Sequence, residues 1–201
     1  MELELMRTPP TKERADAARN RAKVLAAAAE LFAAHGVESV SMDAIAAAAG
    51  VGKGTLFRRF GDKAGLAAAL LDERERELQD AILFGPAPLG PGAPPADRLR
   101  AFADAYLDFA LAHLPLVRMS ETASPGARYR IGAYRFWHRH LTILLAGESD
   151  PEALAHALLA SLGAEHLMAV VEDLGAERAR NAVRVLFLAH AADPGQRKAP
   201  A

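Results

Sequence analysis

The sequence contains no cysteine. That excludes disulfides, thiolate metal sites and cysteine nucleophiles together, and it suits a reducing compartment. Long apolar runs are missing as well: no stretch of about 18 uninterrupted apolar residues occurs, so no membrane-spanning helix is expected. The opening MELELMRTPPTKER mixes acids with bases and lacks the apolar segment of a signal peptide. No nucleophile elbow, phosphate loop, dinucleotide fingerprint or HExxH zinc signature appears, so no catalytic residue, metal or cofactor is expected. His138 and His140, two apart, do not share a helical face. The expectation is a cytoplasmic protein with no membrane partner. Net charge is only -1, which by itself does not advertise a nucleic-acid partner. Its distribution is uneven, however. Lysine disappears between Lys63 and Lys198, whereas residues 12–63 hold nine basic side chains against six acidic ones.

Among what is present, alanine and leucine dominate a composition that is 51% apolar over 201 residues, enough for one large domain or two small ones. The periodicity predicts an all-α chain of about nine helices. Residues 1–11, with Pro9 and Pro10, read as a flexible arm and 193–201 as a disordered tail. Residues 12–66 form an N-terminal helical domain and 67–192 a second one. In the first, Val24, Leu25, Ala28, Leu31 and Phe32 make an apolar stripe on a helix that stops at Gly36. Arg14, Arg19, Arg21 and Lys23 on that helix serve equally as a solvated face or as phosphate contacts.

Ser41–Lys63, SMDAIAAAAGVGKGTLFRRFGDK, concentrates the informative residues. Ser41 is an N-cap, Ile45 and Ala49 face inward, and Ala46 is small enough for a neighbouring helix to cross closely. Gly50 permits a tight turn. Leu56 and Phe60, four apart, anchor a short second helix and leave Gly54, Thr55 and Arg58 on its outer side. This is the layout of a helix-turn-helix, in which the second helix enters the major groove. Arginine addresses guanine bidentately, threonine bonds a base edge or touches a thymine methyl, and glycine allows close approach. Lys53 and Lys63 suit phosphates, which position without specifying.

The run Gly-Lys-Gly-Thr-Leu-Phe-Arg-Arg-Phe-Gly-Asp-Lys, with AELFAAHG and V-x-S-V-S-M-D-x-I-A-x-x-A-G upstream, closely resembles the signature of the tetracycline-repressor (TetR-like) family over about residues 16–66. The resemblance implies that Gly52, Lys53, Gly54, Thr55, Phe57, Arg58 and Arg59 lie on the reading helix or its end. It also implies that Ser41 and Lys63 grip phosphates. Two residues depart from the family pattern: Gly52 stands where serine is usual and Phe57 where tyrosine is usual. Each loses a hydroxyl.

In the second domain, helices are expected from Lys63 to about Leu83, Asp97–Leu114, Arg128–Leu145, from Pro151 to about Asp173, and Ala176–Ala191. The proline- and glycine-rich residues 84–95 and the segment 120–126 read as connections. The charged run 72–77 reads as a solvated face. Phe102, Tyr106, Phe109, Trp137, His138, Glu165 and His166 make a candidate pocket for an unidentified small-molecule effector, although each would also serve as ordinary core. Leu154, Leu158, Leu162, Val183, Leu186 and Phe187 are the candidate homodimer interface, the alternative being a larger single core. The resemblance implies a dimeric transcription regulator on palindromic, double-stranded operator DNA, most simply a repressor released by a ligand. The long helix from Lys63 would carry the change between domains. A DNA-binding dimer without effector, or a helical carrier or enzyme that has kept the fold, are the alternatives.

Overall fold

Helix-forming residues at helical spacing produce helix after helix in the described part of the chain, residues 12–190 of a computed structural model, with side chains from Asp16 onward. The expected arm and tail lie outside the described residues. In order come α1 (Lys12–His35), α2 (Met42–Ala49), α3 (Lys53–Phe60), α4 (Lys63–Phe84), α5 (Pro95–Ala112), α6 (Leu114–Glu121), α7 (Ala127–Arg130), α8 (Gly132–Leu144), α9 (Pro151–Ala160), α10 (Ala164–Leu174) and α11 (Ala176–Ala189). No strand occurs among the described residues. The chain divides into two compact units between Leu70 and Leu71, slightly beyond the boundary expected after residue 66.

The first unit closes around Val24, Ala28 and Phe32 of α1, Ile45 and Ala46 of α2, Leu56 and Phe60 of α3, and Leu66 and Ala67 of α4, all buried. Ser41 caps α2, its hydroxyl accepting the Ala44 N–H at 3.1 Å, an arrangement worth about 1 kcal/mol. Gly50 ends α2 at φ +64°, and the Val51 N–H reaches back to the Ala46 carbonyl at 3.0 Å. Only glycine takes that left-handed turn without strain. Asp62 caps α4 by accepting the Gly65 N–H at 2.8 Å. Gly65 passes so close to Phe60 that a Cβ would sit 2.0 Å from its carbonyl oxygen.

The second unit is built on α5, whose Leu99, Phe102, Tyr106 and Leu107 are buried against Trp137 and Leu141 of α8, Leu158 and Leu159 of α9, and Val183 and Phe187 of α11. Phe102 sits at the centre, with the rings of Tyr106, Trp137, His140 and Phe187 between 5.5 and 6.3 Å away. The connection 85–94 is tied down by Arg98, which donates to the carbonyls of Ile82 at 3.1 Å and Leu89 at 3.4 Å.

Among the described residues, eleven helices replace the expected nine or so, because two expected segments break and a further helix forms at Pro115. Pro115 does not end a helix but opens one, α6, where a missing N–H costs nothing. The segment from Arg128 splits because Ile131 is extended (ψ 135°), its side chain packed on the core. The segment 151–173 splits at Gly163, also extended, with ψ 137°. The expected dimer face is also revised. Ala179, Val183 and Phe187 turn α11 inward, and Leu158 and Leu162 are buried with them, so these four leucine, valine and phenylalanine side chains are core of their own unit. Leu154 packs partly on that core. Leu186 remains outside at 49% exposure, and its exposed companions on α11 are Val185 and Leu188.

Candidate nucleic-acid interface and internal pocket

On α3, Leu56 and Phe60 point inward while Gly52, Lys53, Gly54, Thr55, Phe57, Arg58 and Arg59 are all exposed. One short helix therefore offers glycine, threonine and arginine along its outer side. Gly52 is the N-cap of α3 and makes no side-chain cap. Phe57 presents an apolar ring, 45% exposed, on this charged surface. The cations around it are not equally available. Arg58 has no hydrogen bond or ion pair among the described residues. Arg59 donates to the Ala17 carbonyl of α1 at 2.9 Å. Lys53 pairs with Asp43 of α2 in an exposed bridge, which a phosphate would compete to replace. A cleft of about 370 Å³ separates α1 from α3, lined by Asp16, Asn20, Val24, Thr55, Arg58 and Arg59 among others.

Lys63 departs from its expected part. Its ammonium donates to the carbonyls of Val37 and Glu38 at 2.9 Å and Val40 at 3.0 Å. An ammonium has three N–H groups, and all three are engaged on the turn between α1 and α2. Half-buried Lys63 is thus a staple for that turn rather than a free phosphate grip. Ser41 is likewise engaged as the α2 cap.

The profile of the bacterial regulatory proteins of the tetR family matches residues 24–70, the span that carries this geometry. An HTH-type transcriptional regulator of Staphylococcus aureus is 47% identical over 53 residues, 26% of this chain and 29% of that relative. Beyond those residues the likeness is one of structure. A TetR-family regulator from Pectobacterium atrosepticum superposes with TM-score 0.61 at 26% identity, covering 86% of this chain and 92% of that one. A TetR-family regulator from Streptomyces coelicolor does so with TM-score 0.60 at 25% identity, covering 87% and 95%. Sequence and structure together support a TetR-family regulator. The chain spans only 29% of the curated relative's length, so the sequence kinship is concentrated in its first unit.

In the second unit, Tyr106, Phe109 and Trp137 line one pocket with Leu71, Glu75, Val117, Ser120, Glu121, Arg128, Ile131, Ala133 and Tyr134. The pocket is pinched: its free volume is only about 20 Å³, room for little more than one water molecule. Three aromatic walls meet edge to face, Tyr106 lying 5.9 Å from Phe109 and 5.8 Å from Trp137. The other residues expected in this pocket lie elsewhere. Phe102 is core behind it, Glu165 and His166 are exposed on α10, and His138 lies against His156, their rings tilted with centres 3.9 Å apart.

The polar members were not anticipated. Arg128 and Glu121 form an ion pair with both side chains nearly buried, 12% and 10% exposed. Arg128 also donates to the Leu159 carbonyl at the end of α9, at 2.6 Å, and lies 5.4 Å from the Tyr134 ring centre. Glu121 accepts the Ala164 N–H at 2.8 Å, capping α10 where Gly163 has no side chain to do so. Burial, with Asp72 and Glu121 as like-charged neighbours, raises the Glu75 carboxyl to about 7. Burial also raises the Tyr106 hydroxyl well above the ordinary tyrosine range. Glu75 was legible in principle: it falls four residues after buried Leu71 and three before buried Leu78, on the inner stripe of α4.

Among the described residues, no group of three or more His, Asp or Glu side chains is placed to hold a metal ion. No single helix there is long and apolar enough to cross a membrane.

Proposed function

We propose that the chain is a sequence-specific DNA-binding transcription regulator, a homodimer that reads a palindromic operator with α3 and releases it when a small molecule enters the second unit. The observation that carries this reading is the outer side of α3, where Thr55 and Arg58, the latter without a partner among the described residues, stand exposed beside glycines. That arrangement occupies the same residues as the family match. Thr55 and Arg58 address base edges, with Gly52 and Gly54 permitting close approach. Lys53, Arg59 and the cap at Ser41 face phosphates, and Phe57 supplies apolar contact where a hydroxyl is usual. Lys63 acts indirectly, by fixing the turn that orients α2. One reading helix touches too few bases for useful discrimination, so two copies on half-sites about 34 Å apart are needed. The exposed Val185, Leu186 and Leu188 of α11, with Leu174 at the end of α10, offer the apolar surface for a two-fold contact. Release is a population shift, limited by how much better the ligand binds the open state of its pocket than the closed one.

Selection of bound duplexes from a random pool tests the reading. The expected product is an enriched inverted repeat with half-site centres one helical turn apart. Recovery of no common sequence would support the alternatives, a carrier or an enzyme on a regulator's fold.

A further inference from the structure

We propose that the pocket of the second unit takes an organic monocation with an apolar or aromatic body, its charge seated against Glu75 and its body between Tyr106, Phe109 and Trp137. This rests on the reading of the second unit as the effector unit.

The polar inventory of the pocket decides the sign of the charge. Its lining holds two carboxylates and one guanidinium. The guanidinium is already spent: Arg128 is paired with Glu121, bonded to the Leu159 carbonyl and laid against Tyr134. Glu121 is spent too, on Arg128 and on the N-terminus of α10. Glu75 has no hydrogen-bond or ion-pair partner among the described residues, although it is half-buried. A carboxyl held in that way lacks a cation, and an anionic guest would meet two carboxylates with no uncommitted cationic side chain of the lining to offset them. The walls complement the same guest. Rings of tyrosine, phenylalanine and tryptophan attract a cation by their faces and accept an apolar body. A divalent metal ion fits poorly, because it requires several oxygen ligands, and among the described lining residues Glu75 is the one carboxylate not already engaged. The pinched volume means that a guest enters by parting the walls, so binding and a change of shape in this unit are one event.

Trp137 is the sole tryptophan of the chain and lines the pocket, so its fluorescence reports occupancy. The full-length protein is titrated with benzyltrimethylammonium and, at matched ionic strength, with phenylmethanesulfonate. A saturable response to the cation and none to the sulfonate is expected. Glu75→Gln should weaken cation binding by about tenfold or more while melting no lower than the parent at pH 8, since the amide leaves no charge to bury. That combination separates a lost binding group from a damaged fold. Equal response to the sulfonate, unchanged affinity in Glu75→Gln, or no saturable response to the cation at millimolar concentration would overturn the proposal. The selected duplex is then titrated with and without the cation. Cation binding that leaves operator affinity unchanged supports the pocket chemistry and defeats the effector reading. Operator binding by a protein that ignores the cation does the reverse.

Discussion

Lys63 gathers three carbonyls of one turn onto a single ammonium. Lys63→Met keeps the aliphatic stem but removes every donor, so the carbonyls of Val37, Glu38 and Val40 lose their common partner. A loss of about 2 kcal/mol is expected in urea unfolding of the variant, the scale of charged hydrogen bonds. Unaltered stability together with a flattened salt dependence of DNA binding would return Lys63 to phosphate duty. His140 makes a second prediction. Burial, with Arg98 nearby, lowers its pKa from 6.5 to about 4, and its Nε2 has no hydrogen-bond partner among the described residues. Because the folded value is the lower one, the unfolded chain takes up the proton first as pH falls. The contribution is therefore complete above about pH 6.5 and is lost on descent toward pH 4, at most about 3 kcal/mol. Unfolding at pH 7 and pH 5 should show a smaller stability difference for His140→Phe than for the parent; an identical difference would show that His140 protonates freely in the folded protein.

At the scale of elements, the break between α9 and α10 depends on residues distant in sequence. Glu121 caps α10 and Arg128 holds the end of α9, so neither helix end is finished by its own segment. Glu121→Ala should cost about 3–5 kcal/mol, because it leaves both a buried guanidinium and a helix N-terminus without a partner. Calorimetry or denaturant unfolding checks this; a cost under about 1 kcal/mol would mean that the pair behaves as a surface bridge. This dependence also explains what the sequence could and could not disclose. Local signals announced Ser41, Gly50, Leu56 and Phe60, and α1 to α3 follow from them. The pair Glu121–Arg128 spans a turn and has no local signature, so the continuous helix expected over 151–173 concealed the break. Pro115 was ambiguous in principle, since the same residue ends one helix and starts another. Only the aromatic half of the pocket could be read from spacing, as Tyr106, Phe109 and Trp137. The polar half comes from three separate helices, and Glu75 hid inside a charged run whose neighbours Arg74–Glu77 and Asp72–Arg76 do pair on the surface.

For the whole molecule, the apolar side of α11 left exposed by Val185, Leu186 and Leu188 is the proposed contact with a second copy. Val185→Glu should convert a dimer to monomers in sedimentation while leaving helix content unchanged, and a dimer that persists in the variant would place the contact elsewhere. Loss of the dimer should also abolish operator binding, because a single α3 spans one half-site only. The central claim is that α3 reads sequence through Arg58. Fluorescence anisotropy of a selected duplex and a scrambled one, each titrated with parent and Arg58→Ala protein over a series of salt concentrations, tests it directly. The expected result is tight binding of the selected duplex by the parent, weakening steeply as salt rises, with Arg58→Ala narrowing the gap between the two duplexes. Equal, weak affinity for both duplexes, with or without Arg58, would contradict it.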